Sequence, residues 1–243
     1  MSMRRAIAVS AGIYFAALAY LGLRWGSIPD PMPVHVGPGG KVDNWAPKTW
    51  LSVGGAIWVG VVVCAVMALC TPRLSLVSAR REVAEPDALP YSNTAAARAE
   101  LLISMTIRFM GHLLVATTVL LVATQLTLAL SHQVPIAVWV VAFAAYLALS
   151  VVASIRISKR AKTSWDTLPP DAEEQVRVER LKNKAGMGVY SEERDPMAVA
   201  VLPAEPGKVQ INSAHPAGKR TLRNIMCAIV GSLAATVALV VFL

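Results

Sequence analysis

The chain has 243 residues, of which 55% are hydrophobic and only 16% charged, with a formal net charge of +8. Soluble domains carry about 25% charged residues, so a water-soluble globular domain is excluded as an account of the whole chain. The basic residues flank apolar runs, which favours anionic lipid over nucleic acid as their counterpart.

Residues 6–23 form the first apolar run, preceded by Arg4 and Arg5. Crossing about 30 Å of hydrocarbon takes roughly 20 helical residues at 1.5 Å each, and backbone groups in lipid must be paired within the segment. A first transmembrane helix is therefore expected. Ala17-Leu18-Ala19 resembles a signal-peptide cleavage site, but the apolar run continues through Leu23, which favours a retained span.

Residues 24–50 read RWGSIPDPMPVHVGPGGKVDNWAPKTW. Pro29, Pro31 and Pro33 hold the backbone extended. Gly37, Pro38, Gly39 and Gly40 supply a tight turn. Trp25, Trp45 and Trp50 suit the membrane–water interface. An ordered, hairpin-like cap on the outer surface is expected. His35 lies between Asp30 and Asp43, but with no second His or Cys nearby it reads as a structural hydrogen-bonding residue rather than a metal ligand.

A second span is expected over 51–70, stopped by Pro72 and Arg73, and residues 71–102 read as a cytoplasmic linker. Residues 103–155 read as a transmembrane hairpin, with spans 103–130 and 135–155 joined by 131–134. Arg108 can snorkel to the interface, which puts the start of the hydrocarbon crossing near Phe109. Arg108 and His112 are four apart and share a helix face. With Gln125 and several threonines they form a candidate intramembrane polar face. The competing reading is hydrogen bonding between helices, and it is preferred because no Asp or Glu falls within any span.

Residues 156–222 are too long for a simple connection. Asp171 is a candidate N-cap, with acidic residues following and basic ones at the far end, so a short surface helix is expected. Apolar stretches at 187–190, 198–203 and 208–214 read as a three-stranded meander. Residues 223–243 supply the fifth span. The fold class is thus an all-α membrane protein of about five transmembrane helices, with a small cytoplasmic helix and a three-stranded β-meander. Of the 23 lysines and arginines, 20 fall on one side of this arrangement. That side is expected to be cytoplasmic, with the N-terminus inside and the C-terminus outside a bacterial plasma membrane.

The apolar helix, the IPDPMPVHVGPGGKVDNWAPK stretch and the second helix together resemble the uncharacterised two-helix domain that opens SdpI-type bacterial membrane proteins. Pro29, Pro33, His35, Gly40, Asp43 and Lys48 carry the resemblance over residues 1–70, and they mark loop 24–50 as a candidate binding loop. The later stretch GVYSEERDPMAVAVLPAEPGKVQINSAHP resembles a second uncharacterised domain through Tyr190, Asp195, Pro196, Pro203 and Asn212. It departs from that pattern at Ser191 and Glu193, and it lacks an aromatic residue before Asn212. The SdpI resemblance implies a binding or regulatory role at the cell envelope, of an immunity or signalling kind.

No nucleophile elbow, P-loop, dinucleotide fingerprint or HExxH is present, and Cys64, Cys70 and Cys227 show no CxxC spacing. The sequence therefore gives no sign of an enzyme, a cofactor or a metal. Expected partners are membrane lipids and a protein in the membrane or a cytoplasmic regulator, not nucleic acid. Two alternatives are an accessory subunit of a larger membrane complex and a small transporter.

Overall fold

The computed structural model describes residues 1–37, 40–83, 86, 88–130 and 135–242, with only the backbone of residues 236 and 238–242. In chain order the elements are α1 (Met3–Leu23), β1 (Met32–Val36), β2 (Val42–Ala46), α2 (Trp50–Val53), α3 (Gly55–Cys70), α4 (Ser75–Ser78) and α5 (Asn93–Ala129). There follow α6 (Ile136–Thr167), α7 (Ala172–Leu181), β3 (Val189–Tyr190), β4 (Val199–Ala200), β5 (Gln210–Asn212) and α8 (Pro216–Phe242).

Four helical stretches are long and apolar enough to cross a bilayer: Met3–Leu23, Gly55–Ser78, Asn93–Ala129 and Ile136–Thr167. They indicate a multi-pass membrane protein. The fifth expected span lies on α8, but Leu243 and most side chains after Ala235 fall outside the described residues. Residues 131–134, expected as the hairpin loop, also lie outside them, as do Pro38 and Gly39 of the expected turn.

The third and fourth helices are longer than their apolar runs. α5 begins at Asn93 rather than near 103, and α6 continues to Thr167 rather than stopping at 155. The added residues are rich in Ala, Arg, Lys and Glu, which sustain a helix without help from a bilayer. At 1.5 Å per residue α5 is about 55 Å long, well beyond the hydrocarbon thickness.

The chain forms two compact units. The first comprises Met1–Ala68, Met110–Val151 and Ala228–Leu243. Its core is built by Tyr14, Ala17 and Leu21 of α1, Ile28 and Met32 of the loop, Val53, Ile57 and Val122. Ser2 caps α1 by accepting the Arg5 N–H at 3.4 Å. Thr49 and Ser52 form a reciprocal capping box at the start of α2. Gly60 of α3 is flat against the Tyr14 ring, and a Cβ there would collide with the phenol.

The second unit comprises Leu69–Phe109 and Val152–Cys227. Its larger core joins Leu76, Ala99, Leu102, Ile103, Ala161, Met197 and Val199. Residues 71–102 do more than link helices. The Arg81 N–H donates to the Pro196 carbonyl at 3.0 Å, the Leu89 N–H donates to Arg194 O at 2.7 Å, and Arg80 stacks 3.9 Å from the Tyr91 ring centroid.

One sequence expectation is corrected in this unit. α7 has its expected N-cap, with Asp171 accepting the Glu174 N–H at 2.7 Å, and most of its residues are exposed, as expected of a surface helix. Glu174, Arg177 and Leu181 are buried along its inner face. The sheet is not a meander. Its order is β3-β5-β4, with β3 parallel and β4 antiparallel to β5. A meander needs β3 and β4 side by side through a tight turn. Instead, residues 191–198 fold inward around buried Asp195, and the last strand takes the middle place.

Candidate functional site

Loop 24–50 is a hairpin in which most of the signature residues serve the loop's own shape. β1 and β2 pair antiparallel with irregular register between Pro33 and Val36. Gly40 closes the turn at φ +74°, a region that penalises a Cβ, and its N–H donates to Gly37 O at 2.9 Å. Pro33 and neighbouring Met32 are buried, whereas Pro29 is half-buried. Lys48 is a staple: its Nζ donates to Ile28 O at 3.0 Å and Trp25 O at 3.4 Å, and lies 5.8 Å from the Trp25 ring. Its N–H donates to Asp30 Oδ1 at 3.1 Å. Trp25 in turn packs on Trp50, with ring centroids 4.6 Å apart.

His35 and Asp43 differ from the rest. They face each other across the hairpin, His35 Nδ1 to Asp43 Oδ1, at 2.5 Å, with side chains 64% and 50% exposed. An exposed pair of this kind contributes only about 0–1 kcal/mol to folding. Asp30, engaged with Lys48, does not join them. Among the described residues no group of three or more His, Cys, Asp or Glu could hold a metal ion.

The candidate intramembrane face does not come together. Arg108 and His112 are exposed on α5, while Gln125 is 2% exposed. At 100° per residue Gln125 lies about 220° around the helix from His112. Gln125 instead reaches the interruption between α2 and α3. Its Oε1 accepts the Ala56 N–H at 2.7 Å, and its Nε2 donates to Ser52 O at 3.3 Å. The Trp58 indole donates to Trp50 O at 3.0 Å. Gln125 thus supplies an acceptor to a backbone N–H at the helix break, as an apolar setting requires, and the Ser52 and Trp50 carbonyls also accept the Gly54 N–H. Thr118 likewise donates to Ser10 at 2.9 Å, with both groups buried, and Thr117 meets the Tyr146 hydroxyl at 2.9 Å.

A buried polar network in the second unit is absent from the sequence reading. Arg98 donates to Glu174 through Nε at 3.0 Å and Nη2 at 3.1 Å. It also donates to Ser164 O and Leu168 O, both at 2.8 Å, and stacks on Trp165 at 3.6 Å. Arg177 pairs with Asp195 through both terminal guanidinium nitrogens, Nη1 and Nη2. Asp195 also accepts from Tyr190 Oη and the Met197 N–H, each at 2.8 Å. Asn212 donates to Glu192 O at 2.9 Å and accepts the Glu192 N–H at 3.2 Å.

Tyr190, Asp195 and Asn212, three of the residues that carry the second family resemblance, thus meet around one turn. Burial and the Asp195 charge push the Tyr190 phenol well above its ordinary pKa. Burial opposes ionisation of Glu192, but Lys184, the Arg194 N–H and Arg180 outweigh it and hold the carboxyl below its ordinary value. The i, i+3, i+7 spacing of Glu174, Arg177 and Leu181 was the signal available for the buried face of α7. Its two charged members made that face look solvated.

Residues 12–60 match a family model described as a domain of unknown function, DUF1648. The match takes in most of α1, the whole of loop 24–50, α2 and the start of α3. Searches of curated proteins and of solved structures found no match.

Proposed function

We propose that this chain is a non-enzymatic integral membrane protein of the SdpI-like type, with a binding or regulatory role at the cell envelope. In this reading α8 is the fifth span, the N-terminus is cytoplasmic and the C-terminus lies outside a bacterial plasma membrane. The unequal distribution of lysine and arginine supports that orientation, and the DUF1648 match is in keeping with the two-helix opening. Residues 188–216 would belong to the second, cytoplasmic domain.

The observation that carries the binding role is a contrast within loop 24–50. Lys48, Asp30, Gly40 and Pro33 serve its internal order, while His35 and Asp43 pair on its exposed surface. A pre-organised loop loses little entropy when it binds a partner. The test is affinity purification in mild detergent with Asp43→Asn and His35→Gln. A partner lost at unchanged membrane abundance supports the reading, and an unchanged set of partners refutes it. Reporter fusions after Arg81, Ser131 and Lys184 should read inside, outside and inside.

A second reading, an accessory subunit of a larger membrane complex, is favoured by α6. None of its apolar 18-residue stretch is buried within the chain, so that surface is open to a neighbouring helix as well as to lipid.

A further inference from the structure

Where the apolar part of α3 ends, the second unit contains a small cleft of 120 Å³. Thr71, Arg73, Ser75, Arg220, Thr221 and Asn224 supply its polar lining, and Leu69 lies at its apolar edge. We infer that this cleft binds the phosphate of an anionic phospholipid headgroup.

Four observations support this. The lining contains two guanidinium groups, three hydroxyls and a carboxamide but no carboxylate; the Thr221 hydroxyl donates to Ala217 O at 3.0 Å, and the guanidinium groups and the carboxamide supply the donors for a phosphate oxyanion. Guanidinium groups suit phosphate in particular, because their planar fork donates two parallel hydrogen bonds. Arg73 and Arg220 are exposed, and among the described residues neither has an ion-pair partner. Their charge is left uncompensated by the protein, whereas Arg98 and Arg177 have buried carboxylates. The cleft is also far smaller than the roughly 300–1,000 Å³ of pockets that enclose metabolites.

Its position in the chain completes the case. Leu69 and Cys70 end the apolar run of α3, and Asn224 precedes the apolar run of α8. Groups at such boundaries lie at headgroup depth, where basic pockets bind acidic lipid. The inference rests on the proposed reading of α8 as a membrane span and is independent of any role for loop 24–50.

The chemistry shared by a lipid headgroup and a free anion is the phosphate itself, and the experiment separates them. The full-length protein in detergent is titrated with phosphatidylglycerol, with phosphatidylcholine or with inorganic phosphate, and bound mass is read by native mass spectrometry. One phosphatidylglycerol per chain should bind in preference to phosphatidylcholine. R73Q/R220Q should weaken it about thirtyfold and either single change about fivefold, at an unchanged melting temperature. K159Q/K162Q on α6, which removes two charges outside the cleft, should bind as the parent does. The single variants decide the matter if the double variant misfolds. Equal losses in the two double variants would reduce the effect to diffuse charge and overturn the proposal. So would equal retention of phosphatidylcholine. Inorganic phosphate that binds with the affinity of the lipid would overturn the lipid as the source.

Discussion

Arg98 and Glu174 lie 76 positions apart and form a doubly hydrogen-bonded ion pair in which both side chains are at most 2% exposed. The pair ties α5 to α7, and the two Arg98 bonds to Ser164 O and Leu168 O add the end of α6. Every donor of that guanidinium faces an acceptor or an aromatic ring, which is the condition for tolerating such a charge away from water.

Removing one partner should therefore be severe. R98M leaves a buried carboxylate without a counter-charge, and such losses cost about 3–5 kcal/mol. Chemical unfolding of the detergent-solubilised protein should show a clear drop in midpoint. The double variant R98M/E174M should lose less than the sum of the single changes, because the two residues act as one unit. Additive losses would contradict the coupling.

Loop 24–50 should respond differently at two kinds of position. K48Q removes the staple to Trp25 O and Ile28 O and should lower membrane abundance. D43N touches only the exposed pair and should change stability by no more than about 1 kcal/mol. Quantitative immunoblotting of membranes checks both, and equal abundance of the two variants would refute the staple.

Gln125 should matter for stability rather than for transport. Q125L leaves the Ala56 N–H and Ser52 O at the break between α2 and α3 without their side-chain partner. A cost of about 0.6–2 kcal/mol is expected for such a bond in a helical membrane protein. H112L, on the opposite side of α5, should be near neutral. A thermal-shift assay in detergent that ranks the two variants the other way would refute this assignment.

Stability of the second unit should fall as pH drops from 7 to 5. Burial, with help from Arg81, holds the His215 imidazole below its ordinary pKa, against a weaker pull from Asp195. The Ala217 N–H donates to its Nδ1 at 3.1 Å, and Nε2 is buried without a hydrogen-bond partner among the described residues. The unfolded chain takes up this proton at higher pH than the folded one. The stabilisation is therefore present above about pH 6.5 and is lost as pH falls through the depressed folded value. Asp171 and Glu192, also depressed against the pull of burial, follow the same sign only below about pH 4. The unfolding midpoint followed from pH 7 to 5 should slope less in H215Q, and equal slopes would refute the role of His215.

Much of the membrane architecture is legible in local composition. An apolar run of about 20 residues bounded by charge or proline needs no knowledge of its neighbours to be read as a helix in lipid. The proline and glycine pattern of 24–50 similarly forecasts a hairpin, because those residues restrict or free the backbone at their own positions. Asp171 as a cap follows from contacts within one turn.

The sequence by itself therefore determined the apolar helices, the hairpin and the helix start at Asp171, all of which depend on residues close together in the chain. Only the tertiary structure decided the rest. Spacing alone puts Gln125 and His112 on different sides of α5, but which of those sides is inward depends on its neighbours. The order β3-β5-β4 depends on an arginine of α7 drawing Asp195 inward. The pairs Arg98–Glu174 and Arg177–Asp195 look in sequence like a solvated charged surface. A charge becomes tolerable in a core only when a distant partner supplies its counter-charge and hydrogen bonds, and that partner is chosen by the fold.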